Sequence, residues 1–365
     1  MKPSVGDPAR LIAFYLPQFH PIPENDEWWG KGFTEWTNVV KARPLFPEHY
    51  QPHIPADLGF YDLRLPEVRE AQADLAQEYS VYGFCYYHYW FNRRRILERP
   101  FHEVLASGKP NFPFCLCWAN ENWTRVWDGG TDNVLLAQSY DHEDDLRHIE
   151  SLIPAFRDER YIRIDGRPLF LVYRTEVLPN PSRTAEIWRA AAARAGVGDL
   201  YLARVERFGT HIPPDSIGFD AAVEFAPDGR NLGAAKFHTK LSSKLAKGRL
   251  ISRGYIENNV FDYDELVTSM LQIPEPPHTR FRGVTPGWDN SPRRTRGSYI
   301  FHGSTPEKYG EWLHTVMEQT KRRLHGDEQI VFVNAWNEWG EGNHLEPDQK
   351  WGRAYLEATR KATRS

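Results

Sequence analysis

Leu11-Ile12-Ala13-Phe14-Tyr15-Leu16-Pro17-Gln18-Phe19-His20-Pro21 is the stretch that decides the fold. Its first six residues are an unbroken apolar run that stops at a proline, the pattern of a buried strand. The residues just after a first strand separate the two ways of winding alternating strands and helices. An open doubly wound sheet usually carries a glycine-rich phosphate turn there. This chain has Pro17-Gln18-Phe19-His20-Pro21 instead, and then a long loop. Similar strand-like runs recur at Val81–Tyr87, Phe112–Trp118, Pro168–Tyr173, Leu200–Val205, Ala221–Phe225, Phe281–Thr285 and Ile330–Ala335. Helical periodicity fills the intervals at Leu63–Tyr79, His142–Phe156, Ser182–Ala195, Asp262–Leu271, Pro306–Leu324 and Trp351–Thr363. The helix near Phe101–Ala106 is weaker, and the segment after the fifth strand is poorly defined. Eight such units predict an α/β chain forming a single (β/α)8 TIM barrel over residues 1–365. Long βα-loop insertions are expected at about 17–61 and 226–255, the first folding over the barrel mouth.

Composition narrows the function classes. Hydrophobic residues make up 41% and charged residues 26%, the balance of a soluble chain with a sizeable core. A formal charge of −4 argues against a nucleic-acid binder. Cys85, Cys115 and Cys117 all lie in apolar runs, so they read as small buried hydrophobes rather than a disulfide framework. No second Cys or His pair stands at zinc-ligand spacing, so neither a metal nor another cofactor is expected. No apolar run approaches the ~18 residues of a membrane span. The N-terminal run is too short for a signal-peptide core, which makes the cytoplasm the expected location. Aromatic residues are the unusual component at 14%, with 13 Trp, many placed beside polar residues where strands should end.

In a TIM barrel those ends converge on one opening. The last strand empties into Trp336-Asn337-Glu338-Trp339-Gly340-Glu341-Gly342, which sets two carboxylates three residues apart between tryptophans. Glu338 and Glu341 are the expected catalytic pair, since glycosidic cleavage needs an acid at the leaving oxygen and a base or nucleophile at the sugar. Flat rings suit the C–H faces of sugars, and forked polar groups suit their hydroxyls. On that ground Tyr15, His20, Trp36, Tyr87, His88, Trp118, Asn120, Glu121, Trp123, Arg125, Glu206, Glu224, Trp288, Asp289, Trp336 and Asn337 are the expected sugar-binding residues. Each has a plainer reading: His88 as a core histidine, Glu206 and Glu224 paired with arginines at the rim, Trp36 as packing, Asp289-Asn290 as a loop turn.

Three motifs carry a family resemblance. Phe14-Tyr15-Leu16-Pro17-Gln18-Phe19-His20, Trp118-Ala119-Asn120-Glu121-Asn122-Trp123-Thr124-Arg125 and Asn337-Glu338-Trp339-Gly340-Glu341-Gly342 together resemble the WbsX-like proteins. Those are relatives of glycoside hydrolase family 99, the endo-α-mannosidases and endo-α-mannanases. The resemblance implies that Glu338 removes the proton of the sugar 2-hydroxyl, which attacks the anomeric carbon to give a 1,2-anhydro sugar. It implies that Glu341 protonates the leaving group and then activates water. This chain departs from the endomannosidases at Gly340, where they usually carry His, and its long loops need not build the same subsites.

The expected function is a retaining glycoside hydrolase acting on an α-linked bacterial poly- or oligosaccharide, without a cofactor. One rival is a glycosyltransferase of O-antigen or other cell-surface polysaccharide assembly, because WbsX-like members accompany such genes. Another is a non-catalytic carbohydrate-binding protein. Three basic patches, Arg93-Arg94-Arg95, Lys236 to Arg253, and Arg293, Arg294 and Arg296, read either as solvated loops or as contacts to a phosphate of a nucleotide sugar, a lipid-linked glycan or an anionic polysaccharide.

Overall fold

The structure, a computed structural model, describes residues 9–124, 134–207, 212–229, 232–237, 239, 246–248 and 250–364. Eight parallel strands form the barrel: β1 (Arg10–Tyr15), β2 (Gly83–Phe91), β3 (Phe114–Trp118), β4 (Arg167–Val172), β5 (Tyr201–Glu206), β6 (Ala221–Glu224), β7 (Arg280–Val284) and β8 (Ile330–Val333). Each pairs with the next, and β8 closes on β1 with Leu11 opposite Val331. The eight expected strands are all present, with ends shifted by up to four residues.

Period-two alternation sorts the side chains into two layers. Inside the barrel, Phe14 stacks on Tyr87 at 5.5 Å and meets Phe332 at 5.4 Å and Phe225 at 6.0 Å. The other parity faces the helices: Tyr86 packs on Phe101, and Trp118 on Trp188. The three cysteines are free and buried, as their apolar surroundings in the sequence predict.

Helices Pro66–Glu78, Arg99–Ser107, His142–Phe156, Pro181–Arg194, Tyr263–Leu271, Pro306–Arg323 and Ala354–Arg364 cover the outside. Local chemistry fixes their starts. Asp141 accepts the N–H of Asp144, and Asn180 accepts that of Arg183 ahead of Pro181 at the first turn. The poorly defined fifth unit has only a 3-10 turn at Pro214–Ile217 among the described residues. The sequence reading missed a small sheet in which Tyr299–His302 pairs with Asn259–Asp262 and with Trp288–Asp289. Strands this short carry too little periodicity to read. Among the described residues no helix is long and apolar enough to cross a membrane.

Candidate active site

At the C-terminal ends of the strands lies a cavity of about 330 Å³. Its floor and one wall come from β2 and the loops after β3 and β4, as Tyr87, Tyr89, Glu121, Trp123 and Tyr173. Its lid is the first insertion, whose short helix Pro23–Trp29 presents Trp28 and Trp29. Trp28 meets Trp123 edge-on at 5.7 Å, and so does Tyr89 at 5.4 Å. A second cavity of about 540 Å³, with Trp288 and Arg294 on its wall, shares Glu121, Tyr173, Phe225 and Glu341 with the first. The two make one groove lined by rings and carboxylates.

Glu338 and Glu341 open on this groove. They stand on a tight hairpin in which Asn337–Glu338 pairs with Asn343–His344 through a 3-10 turn at Trp339–Glu341. Gly342, at φ +58°, ends that turn in the left-handed region that glycine adopts without strain. Asn337 ties the hairpin to the end of β1: its side-chain oxygen accepts the N–H of Leu16 at 2.7 Å, and its amide donates to the Leu16 carbonyl at 3.0 Å.

The centre of the site is Arg293. Its guanidinium donates to Glu35 at 2.8 Å and to Glu338 at 2.6 Å, and pairs with Glu341 at 2.9 Å. One fork thus holds three carboxylates, the geometry for which arginine is suited and lysine is not. Three negative groups against one positive group leave excess charge in a poorly solvated place. Burial pushes the Glu338 carboxyl up to about 8; Arg293 opposes that rise, while Glu341 and Glu35 add to it. Burial raises Glu341 as well, against the pull of Arg293. The cluster therefore holds a proton near neutrality that ordinary glutamates would have released. Burial disfavours charge on Arg293, yet the three carboxylates hold it well above its usual value.

This packing accounts for Gly340. A Cβ built there would lie 1.8 Å from Glu35 Oε1 and 2.8 Å from Arg293 Nε. The Glu35–Arg293 pair occupies the space that a side chain at 340 would need.

The sequence-predicted residues divide into two groups. Tyr87, Glu121, Trp123, Glu338 and Glu341 line the main cavity, and Trp288 lines the adjoining one. Glu121 is held by Arg207 at 2.5 Å and Arg174 at 3.3 Å, with Arg207 lying over the Tyr173 ring at 4.5 Å. Others point elsewhere, and strand parity is the reason for most. Tyr15 donates to Gln72 on an outer helix, His88 lies 2.9 Å from His148, and Trp118 packs against helices. Glu206 and Glu224 also face outwards, Glu224 accepting from Arg282 at 2.8 Å and Glu206 lying 3.9 Å from Arg280. Trp336 packs on Phe84, and Trp36 is wedged between Phe19, Tyr61 and Trp339.

His20 is buried off the cavity, and burial lowers it to about 4. Asn120 clamps the backbone of Arg174, its amide donating and its oxygen accepting at 2.8 Å. Asp289 accepts from His49 and Gln51 and so anchors the first insertion. Asn337 holds β1 rather than facing the groove. Arg125 lies outside the described residues, as do Lys240, Lys244 and Arg249 of the second basic patch.

Sequence reasoning missed Arg293 as a site residue by grouping it with a basic surface patch. A buried carboxylate set demands a cation from another strand end, and Arg293 lies beyond the seventh. Glu35, Trp28 and Trp29 were visible in the first insertion, but no periodicity aims a loop residue. In the first patch, Arg93 and Arg94 are exposed and pair with Glu143 and Glu24.

The chain is similar to known proteins in sequence and in fold. The profile of the family described as Glycosyltransferase WbsX matches residues 11–359. The Uncharacterized protein WxcX of Xanthomonas campestris pv. campestris (strain B100) is 47% identical over 355 residues, covering 97% of this chain and 50% of that protein. Its counterpart in strain ATCC 33913 is equally similar. The chain spans about half the length of these curated relatives. Among solved structures, the GH99 endo-α-mannosidase from Bacteroides thetaiotaomicron superposes with a TM-score of 0.55 at 14% identity, over 97% of this chain and 95% of that one. A glycoside hydrolase-like protein superposes with a TM-score of 0.58 at 12% identity, over 100% and 96%. Those two likenesses share the barrel fold, and the sequence matches give the kinship: the chain belongs to the family described as Glycosyltransferase WbsX.

Proposed function

We propose that this chain is a retaining glycoside hydrolase that cleaves an α-linked bacterial poly- or oligosaccharide. One observation carries the reading: Glu338 and Glu341 face a single aromatic-walled groove while sharing the guanidinium of Arg293. Glu338 is the more buried of the two and its proton affinity is raised, which suits a base. In its ionised form it takes the 2-hydroxyl proton, and the 2-oxygen attacks the anomeric carbon as the glycosidic bond breaks. Glu341, more open to solvent, gives its proton to the leaving oxygen. It then takes a proton from water, which opens the 1,2-anhydro ring at the anomeric carbon, and Glu338 returns its proton to the 2-oxygen. Two inversions at that carbon retain configuration. Arg293 acts by orienting both carboxylates and by balancing charge as protons move.

A transferase reading is favoured by one feature, Arg294 on the wall of the 540 Å³ cavity, where it could meet a donor phosphate. The two readings separate in one assay. Purified protein given bacterial α-glycans without any activated donor should release reducing ends. Strict dependence on a nucleotide-sugar or lipid-linked donor, with no hydrolysis across the glycan panel, would replace the hydrolase reading with the transferase one. Sugar binding without either activity would leave a carbohydrate-binding protein.

A further inference from the structure

Beside the groove, sharing Trp288 and Phe301 with its 540 Å³ part, a cavity of about 310 Å³ lies between the first insertion and the loops after β7 and β8. Three donors meet on its wall: the ligand atoms of His53, His344 and Asp348 all lie within 4.8 Å of one another. His53 Nδ1 is 2.8 Å from His344 Nε2, which is 3.9 Å from Asp348 Oδ2. Two nitrogens bound at about 2.0–2.1 Å to one tetrahedral ion would stand roughly 3.3–3.4 Å apart, so the two rings have to part by only about 0.5 Å to admit it.

Each donor is also held from behind. His344 Nδ1 lies 2.8 Å from the Glu346 carbonyl oxygen. Only an N–H can make that contact, so the proton sits on Nδ1 and the lone pair of Nε2 faces the cluster. Asp348 Oδ1 accepts the N–H groups of Lys350 at 2.9 Å and Trp351 at 2.6 Å, while Oδ2 is turned towards His344. The Tyr50 hydroxyl also bonds Asp348, and the Tyr50 ring stacks on His53 at 4.2 Å. A histidine whose far nitrogen is fixed on a carbonyl, beside a carboxylate whose second oxygen is fixed by backbone, is the support that metal ligands require.

We propose that His53, His344 and Asp348 bind a divalent transition-metal ion, with water from the cavity completing its coordination. His53 now has a proton available for His344; on binding, that proton moves to His53 Nε2 and Nδ1 becomes a ligand. The ion's place in the fold gives it a structural role. His344 stands opposite Asn337 in the hairpin that carries Glu338, and Trp339 stacks on its ring at 3.7 Å. His53 belongs to the insertion that forms the lid, so the ion staples lid to hairpin.

The test uses the untagged full chain, stripped with chelator, titrated with Zn²⁺ by calorimetry and with Co²⁺ by visible absorption. One equivalent should bind, and at a free concentration of 100 Kd the Tm should rise by about 3–4 °C. His53→Gln and Asp348→Asn should each weaken binding at least about tenfold and abolish the Co²⁺ bands. No heat and no rise in Tm at about 1 mM Zn²⁺ would overturn the site, as would one-equivalent binding left intact in both variants. None of these readouts involves sugar turnover, so the result is independent of the hydrolase reading.

Discussion

Two clusters of carboxylates and arginines differ in one respect that separates structure from chemistry. On the outside of the barrel, Glu206, Glu224 and Glu275 meet Arg280, Arg282 and Arg323, a cation for every carboxylate, with Arg204 also in the field of Glu206. Arg282 spans Glu224 at 2.8 Å and Glu275 at 2.5 Å, Arg280 spans Glu275 at 3.3 Å and Glu206 at 3.9 Å, and Arg323 pairs with Glu275. At the mouth, Glu35, Glu338 and Glu341 share Arg293 in a more buried place than Glu275 and Arg323 occupy, with Arg207 adding positive field at Glu341. A balanced set can hold strands and loops together through its ion pairs. An unbalanced set must keep a proton, and a kept proton is what an acid–base site uses.

The largest expected effect tests the second half of that contrast. Glu338→Gln and Glu341→Gln should each lower turnover by about 10²–10⁴-fold while leaving the fold intact, as read by steady-state rates alongside circular dichroism. Near-wild-type turnover in either variant would remove the catalytic assignment. Next comes Arg293→Lys, which keeps the charge but cannot fork onto three carboxylates. Turnover should drop by about 10–100-fold, the cost of misaligned groups. Arg282→Lys should lower Tm yet spare turnover per folded molecule. Equal losses of turnover in the two variants would erase the distinction between the clusters.

Gly340→Ala sharpens it further. The new Cβ would meet Glu35 and Arg293, so either the pair or the hairpin must shift. Turnover should drop about tenfold or more, since displacements near 1 Å are costly in an aligned site. Adding Glu35→Ala should restore part of the loss by vacating the space. A double variant no better than Gly340→Ala would place the effect in the backbone of the turn.

The barrel was legible because its signal is repeated: eight apolar runs and the missing glycine-rich turn after Leu16 lead to one topology. The glutamates of the last strand were legible because a tryptophan-flanked pair on a glycine-loosened turn is locally unusual. The direction of side chains is legible in principle from strand parity. Phe14 and Tyr87 point inwards, so Tyr15 and His88 must point outwards, and the same rule places Glu206 and Glu224 outside the barrel. Arg293, Glu35 and the His53–His344 contact were not legible. His53 and His344 are 291 residues apart, and only closure of the barrel brings such loops together.

The smallest effect is a difference in sign. Glu338 has a folded-state pKa of about 8, above its unfolded value, so its neutral form favours the fold at low pH. That contribution is full below the unfolded value and fades as pH rises from about 4.5 to about 8. Glu346, pushed up to about 7 mainly by burial, adds a similar fade in the same window, but it is present in the wild type and in any Glu338 variant. Comparing the two chains therefore cancels Glu346 and leaves Glu338 together with its close neighbour Glu341. Glu338→Gln cannot ionise, so it should gain on the wild type between pH 5 and 8 by on the order of 1–2 kcal/mol, read as Tm or denaturant midpoint. Glu224→Gln should do the reverse, because it removes one charge from a balanced set and leaves Arg282 short of a partner. If both variants lose stability at pH 8, burial and the neighbouring carboxylates do not raise the proton affinity of Glu338, and the two clusters differ only in position.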